Sequence, residues 1–189
     1  MEHYNVASNL VDTLVESGEG DRVAVYYRDR TYTRRQLFDM VNRAGNALLH
    51  LGVRVEERVL ISLYDSPEAL ASFLGAIKIG AIPVMVNYMY TANEYLHLLD
   101  DSRATTLIVD EDFLDTAQSR REEFLYLKNT VVVGKRQGDG LLSFKQLKDD
   151  LKAFVKNKIA AYKYPRWVDF VPELPKTATG KVQRHKLRD

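Results

Sequence analysis

The 189-residue sequence contains no cysteine. Disulfides, thiolate metal sites and cysteine nucleophiles are therefore excluded, and a cytoplasmic location is the expectation. Net charge is nearly absent as well. Its 27 Lys and Arg against 26 Asp and Glu leave +1, so no global field selects nucleic acid or an anionic membrane. A long uninterrupted apolar run is also missing. The longest, Leu70 to Val86, is broken by Lys78, Gly80 and Pro83, which reads as helix, turn and strand, not as a membrane span. The start, Met1-Glu2-His3-Tyr4-Asn5, lacks the basic and apolar regions of a secretory leader. The histidines, His3, His50, His97 and His185, show no ligand spacing, so no metal site is expected. No serine sits in a nucleophile elbow, and no internal repeat is visible.

What is present is ordinary globular composition, 46% hydrophobic and 28% charged, enough for one domain and a small appendage. Val23 to Tyr27 and Thr31 to Thr33 read as a hairpin around Arg28-Asp29-Arg30. From Arg34, the stripe Leu37, Val41, Ala44, Leu48 and Leu51 predicts a helix that Gly52 ends. Arg58 to Leu63 reads as a buried strand. Ser66-Pro67 opens the next helix, Gly80 closes it, and Ile82 to Val86 is the following strand. Thr91-Ala92-Asn93-Glu94 is a capping box. Thr105 to Val109 and Thr130 to Val133 are further strands, with a helix expected from Asp112 to about Lys128. Strands apolar on both faces that alternate with helices imply a parallel sheet covered on two sides. The fold class is α/β: a partial doubly wound, mostly parallel Rossmann-like sheet with flanking helices, followed by a short C-terminal helix–strand–tail segment. Ser143 with Gln146 is read as the cap of that last helix, whose stripe is Leu147, Leu151, Phe154, Val155 and Ile159.

Two stretches invite a chemical reading. Gly134 to Gly140 lies after a strand, where phosphate loops sit, yet it matches neither G-x-x-x-x-G-K-[ST] nor G-x-G-x-x-G. A plain connector is the better reading. The tail Pro175-Lys176-Thr177-Ala178-Thr179-Gly180-Lys181 places one lysine behind a glycine. An ammonium so placed can stabilise developing negative charge on a phosphate or carboxylate. With Lys176, Arg184, Lys186 and Arg188 as neighbours, spacing alone favours a solvated basic tail. Its aromatic companions Tyr162, Tyr164 and Trp167 fit packing better than nucleic-acid contact.

Several stretches taken together are far more specific. Tyr32-Thr33 with Leu37 and Asn42-Arg43, then Phe73 to Val84 and Asn87, resemble the N-terminal part of adenylate-forming synthetases. Asp101-Ser102-Arg103-Ala104 and Val131-Val132-Val133-Gly134 resemble benzoate–CoA ligases and near aryl–CoA relatives more narrowly. Tyr162 to Trp167 and the run PKTATGKVQRHKLR resemble the C-terminus of the same family. The resemblance implies ATP, Mg and coenzyme A as cofactors and an aromatic carboxylate as substrate, joined through an acyl-adenylate. It implies that Lys181 is the adenylation lysine and that Lys176 is not. It divides the chain into an incomplete AMP-binding-type subdomain, residues 1–148, and a remnant of the C-terminal domain, residues 149–189.

The departures from the family are large. Nothing matches its phosphate loop, S-S-G-S-T-G-x-P-K, and the segments that carry the aryl pocket, adenine site and hinge are missing. The join falls near Lys148 to Leu151, where Leu147 and Leu151 keep one helical stripe in phase. The expectation is a catalytically incomplete ligase with an exposed sheet edge that favours self-association. Two other readings stay open: a non-enzymatic interaction module or oligomerising remnant, and an unrelated nucleotide binder built on the 134–140 loop. No nucleic-acid or membrane partner is expected.

Overall fold

The structure, a computed structural model, describes residues 5–136 in full and 141–143 as backbone. The chain divides into two compact units, Met1–Ala153 and Phe154–Asp189. The expected 148/149 division, Gln146 of the expected cap, the helix beyond it, Gly138, Gly140 and the Lys181 tail all lie outside the described residues.

Helix α1, Val6–Leu14, opens on Asn5, whose Oδ1 accepts from the Ala7 and Ser8 N–H groups at 3.0 and 3.2 Å. Its Nδ2 donates to the Ile77 carbonyl at 2.9 Å. One asparagine therefore caps one helix and satisfies the end of another. Helix α1 is absent from the expected elements, although Asn5 with Ala7 and Val11 at helical spacing is its signal in the sequence. A hairpin of β1, Val23–Tyr27, and β2, Arg30–Thr33, follows as expected. Helix α2, Arg34–His50, starts with a reciprocal Thr33–Gln36 capping box, and Gly52 takes φ 81° just beyond its end.

Five parallel strands form the main sheet in the order β4-β3-β5-β6-β7. They are β3, Arg58–Ser62; β4, Ile82–Met85; β5, Thr106–Asp110; β6, Asn129–Val133; and β7, Leu141–Ser143. Side chains alternate between the faces with period two. Val59, Ile61, Ile108 and Val131 meet Leu48 of α2 and Ala69 and Ala76 of α3, Pro67–Lys78. Leu60, Leu107, Val109 and Val132 meet Tyr95 and Leu99 of α4, Ala92–Ser102, and Leu114 and Ala117 of α5, Leu114–Gln118. The expected two-sided cover is what these clusters provide.

Two expectations need correction. The helix expected from Asp112 to Lys128 is only α5 flanked by single turns. The consecutive charges Arg120 to Glu123 offer no inward apolar residue to another full turn. Phe124 and Leu127 instead reach the core from non-helical chain. No strand is expected at Leu141–Ser143, where only Ser143 is assigned, as part of a helix cap, but these residues pair with β6 as a fifth strand.

Among the described residues, the outer strand β4 is an edge of the sheet. The Ile82 and Val86 N–H groups donate inward to Glu57 and Ile61 carbonyls of the β3 side. By alternation Pro83 and Met85 face outward, and Pro83 has no N–H to offer. The free edge therefore carries a gap in its donors, which opposes strand addition there.

Candidate functional site

From β3 the chain crosses through α3 to β4, then returns through α4 to β5 on the other side of β3. This reversal is a topological switch point, and ligands of doubly wound sheets bind in the crevice outside the carboxyl ends of such strands. The residues that leave those ends are Leu63 to Asp65 after β3, Val86 to Tyr88 after β4, Glu111 to Phe113 after β5 and Gly134 to Arg136 after β6.

Three rings close the middle of the crevice. Tyr64 lies 4.8 Å from Tyr88 and 4.9 Å from Phe113, and Tyr88 stacks on Phe113 at 4.9 Å. Beneath them Tyr95 is fully buried, and its hydroxyl meets Ser62 Oγ at 2.5 Å. Burial pushes the Tyr95 phenol above its usual range, against the pull of the Ser62 hydrogen bond. The Tyr64 N–H donates to Asp110 Oδ2 at 3.0 Å, and its hydroxyl to Asp112 Oδ2 at 3.4 Å. Loss of solvent, then the Asp112 charge, raises the Tyr64 phenol.

Asp110 is raised chiefly by burial, with the Tyr64 N–H working the other way and the carboxylates of Asp112, Glu111 and Glu68 adding to the rise. Ionised Asp110 is therefore less favoured in the folded chain than in the unfolded one. Asp110→Asn, which keeps an acceptor for Tyr64, is expected to be more stable than wild type at neutral pH. The advantage should fade as pH falls through the carboxylate range, where Asp110 is protonated in both states. Thermal melts of both proteins at several pH values test this, and an advantage that grows in acid would contradict it.

On the β6 side, Glu111 Oε2 accepts from the Lys135 and Arg136 N–H groups at 2.6 and 2.9 Å. The Arg136 guanidinium is bidentate on Asp115, at 2.7 and 2.9 Å, which holds the Asp115 carboxyl below its usual range. The described part of the 134–140 loop thus presents its donors and its guanidinium to carboxylates of the same chain. Among the described residues there is no group of three His, Cys, Asp or Glu able to hold a metal ion, and no helix is long and apolar enough to cross a membrane. His50 belongs to α2 and His97 to α4. A separate cavity of about 280 Å³ lies between α1, β1 and α2, lined by Leu10, Leu14, Val23 and Leu37 with Arg34 at its side.

Lys181, the one catalytic residue expected from sequence, lies outside the described residues. The residues that line the crevice, Tyr64, Tyr88, Asp110, Glu111 and Phe113, were not singled out in the sequence. Their signal was position alone: each follows or ends a strand at the carboxyl edge.

Fold and crevice define a class, the doubly wound α/β layer with its ligand edge at the strand carboxyl ends. The match to the AMP-binding enzyme family covers residues 14–166, and the chain belongs to that family. It is 33% identical over 134 residues to the 4-hydroxybenzoate–CoA/benzoate–CoA ligase of Rhodopseudomonas palustris, spanning 71% of this chain and 25% of that protein. It is 34% identical over 142 residues to the benzoate–CoA ligase of Thauera aromatica, spanning 74% of this chain and 27% of that one. In structure it resembles an anthranilate–CoA ligase in complex with anthranoyl-AMP, with TM-score 0.72, 38% identity, and coverage of 76% of this chain and 27% of that chain. A benzoate–CoA ligase from Burkholderia xenovorans gives TM-score 0.68 at 26% identity, with coverage of 77% and 28%. The chain therefore spans about a quarter of the length of the curated relatives it matches.

Proposed function

We propose that the chain is a shortened aryl–CoA ligase that retains the N-terminal layer and the lysine-bearing tail of an enzyme acting on aromatic carboxylates. The similarity to benzoate and hydroxybenzoate ligases supports this reading. In the complete chemistry, ATP with Mg supplies the adenylyl group, and coenzyme A takes the acyl group from the adenylate. Lys181 is the residue of this chain assigned to adenylation. Its ammonium would stabilise charge on the carboxylate and phosphate oxygens as pyrophosphate departs.

The same reading makes the chain catalytically incomplete. Its sequence has no counterpart of the family's phosphate loop. The described carboxyl edge offers rings and the carboxylates of Asp110 and Asp112, and the N–H pair at Lys135 and Arg136 is engaged by Glu111. A phosphate chain brought beside Asp110 and Asp112 meets like charge. The proposed setting is cytoplasmic, with no nucleic-acid or membrane partner.

Benzoate-dependent ATP–pyrophosphate exchange by the purified chain tests the proposal. Exchange is expected to stay at the level seen without protein. Exchange above that level and abolished by Lys181→Ala would show a complete adenylation site and overturn the reading.

A further inference from the structure

We infer that the backbone N–H groups of Lys135 and Arg136 form an oxyanion receptor which Glu111 occupies from within the chain, so that a phosphate-type anion binds there only when this carboxylate is displaced. The inference does not rest on the ligase reading. It begins with geometry: two successive N–H groups converge on one oxygen, Glu111 Oε2, at 2.6 and 2.9 Å. Convergent backbone donors of this kind are how proteins hold anions without a charged side chain. The carboxylate oxygen stands where an oxygen of phosphate would stand.

The local backbone fits that role. Gly134 has φ 146°, a conformation that favours glycine, and a Cβ there would run into the Glu111 carboxyl group. Close approach of an anion to this turn therefore depends on the absence of a side chain at position 134. The receptor sits at the carboxyl end of β6 beside β5, the edge at which doubly wound sheets take anions. Arg136 would add its charge to an incoming anion, but Asp115 holds the guanidinium on both nitrogens.

Occupation from within has a quantitative consequence. A tethered carboxylate competes at an effective concentration in the millimolar range or above. A free phosphate that binds two N–H groups with millimolar affinity is then outcompeted. Removing Glu111 should lower the half-saturating phosphate concentration by one plus the ratio of that effective concentration to the carboxylate's own dissociation constant, about tenfold where the ratio is near ten. Glu111→Gln keeps an acceptor without charge and should fall between Glu111→Ala and wild type.

The experiment is a titration of the full chain, followed through the amide NMR resonances of Lys135 and Arg136. Inorganic phosphate and ADP are the probes, with chloride at matched ionic strength as the control. In Glu111→Ala both amides should move saturably with phosphate and not with chloride, whereas wild type should move only at far higher concentration. Equal midpoints for phosphate and ADP would assign the site to the phosphate group alone. A tighter midpoint for ADP would mean that the neighbouring rings also take part. If the loop of Glu111→Ala loses its dispersed amide signals, Glu111→Gln is the deciding protein. The inference fails if neither variant shows saturable movement, or if wild type titrates with the same midpoint as the variants.

Discussion

Tyr95→Ala should lower the unfolding free energy by about 3–5 kcal/mol, the range for deleting a large aromatic from a packed core. Tyr95 heads the fully buried side chains by volume and sits against Leu60, Leu107 and Val109 on one face of the sheet. Its loss opens a cavity between α4 and the two central strands β3 and β5. The phenol also satisfies Ser62 Oγ, a buried hydroxyl, at 2.5 Å. Tyr95→Phe separates the two contributions. It keeps the ring and strands the serine hydroxyl, at a cost of about 1–3 kcal/mol. Urea unfolding midpoints at unchanged slope are the measurement. A phenylalanine variant as unstable as the alanine one would mean that the hydroxyl pair, not packing, dominates the site. An alanine variant close to wild type would mean that the core is not closed as described.

Gly75→Ala should cost about 1–3 kcal/mol or more, although alanine is the better helix former. Helices α2 and α3 approach each other through Gly45 and Gly75. A Cβ at Gly75 would stand 2.8 Å from the Gly45 nitrogen and 2.9 Å from the Val41 carbonyl oxygen. Both are backbone atoms, so no rotamer change relieves the contact, and the helices must separate. Separation would disturb Val41, Ala44, Ala71 and Leu74, the cluster that also holds α1 through Ala7 and Val11. The Lys78 contacts, at 2.5 Å to Asp12 of α1 and 2.7 Å to Asn42 of α2, should loosen with it. Faster amide exchange in α1 than in the strands would report this. A Gly75→Ala protein more stable than wild type would show that helix propensity outweighs the close approach, against this account.

Much of this layer was legible because its signals are local. Thr91 and Glu94 announce a capping box, and both of its hydrogen bonds form. Ser66-Pro67 opens α3, with the Ser66 side chain on the Ala69 N–H. Gly80 ends that helix at φ 80°. The strands were legible as apolar runs bounded by polar turns. The misses are those in which a distant partner decides. The chain after Gln118 leaves the helix, and its Leu125 N–H finds the Asp100 carboxylate, 25 residues away. Strand β7 is defined by its register with β6, which three residues cannot announce. The crevice was hidden for the same reason. Tyr64, Tyr88 and Phe113 are ordinary aromatics until the strand order gathers them at one edge.

We propose that this chain keeps the scaffold of an adenylate-forming ligase and that its described carboxyl edge does not hold the nucleotide. An amide NMR titration of the wild-type chain with Mg-ATP tests it most directly. No saturable movement of the Tyr64, Glu111, Lys135 or Arg136 amides is expected at ATP concentrations below the millimolar range. Saturable, clustered movement of those amides at micromolar ATP would contradict it.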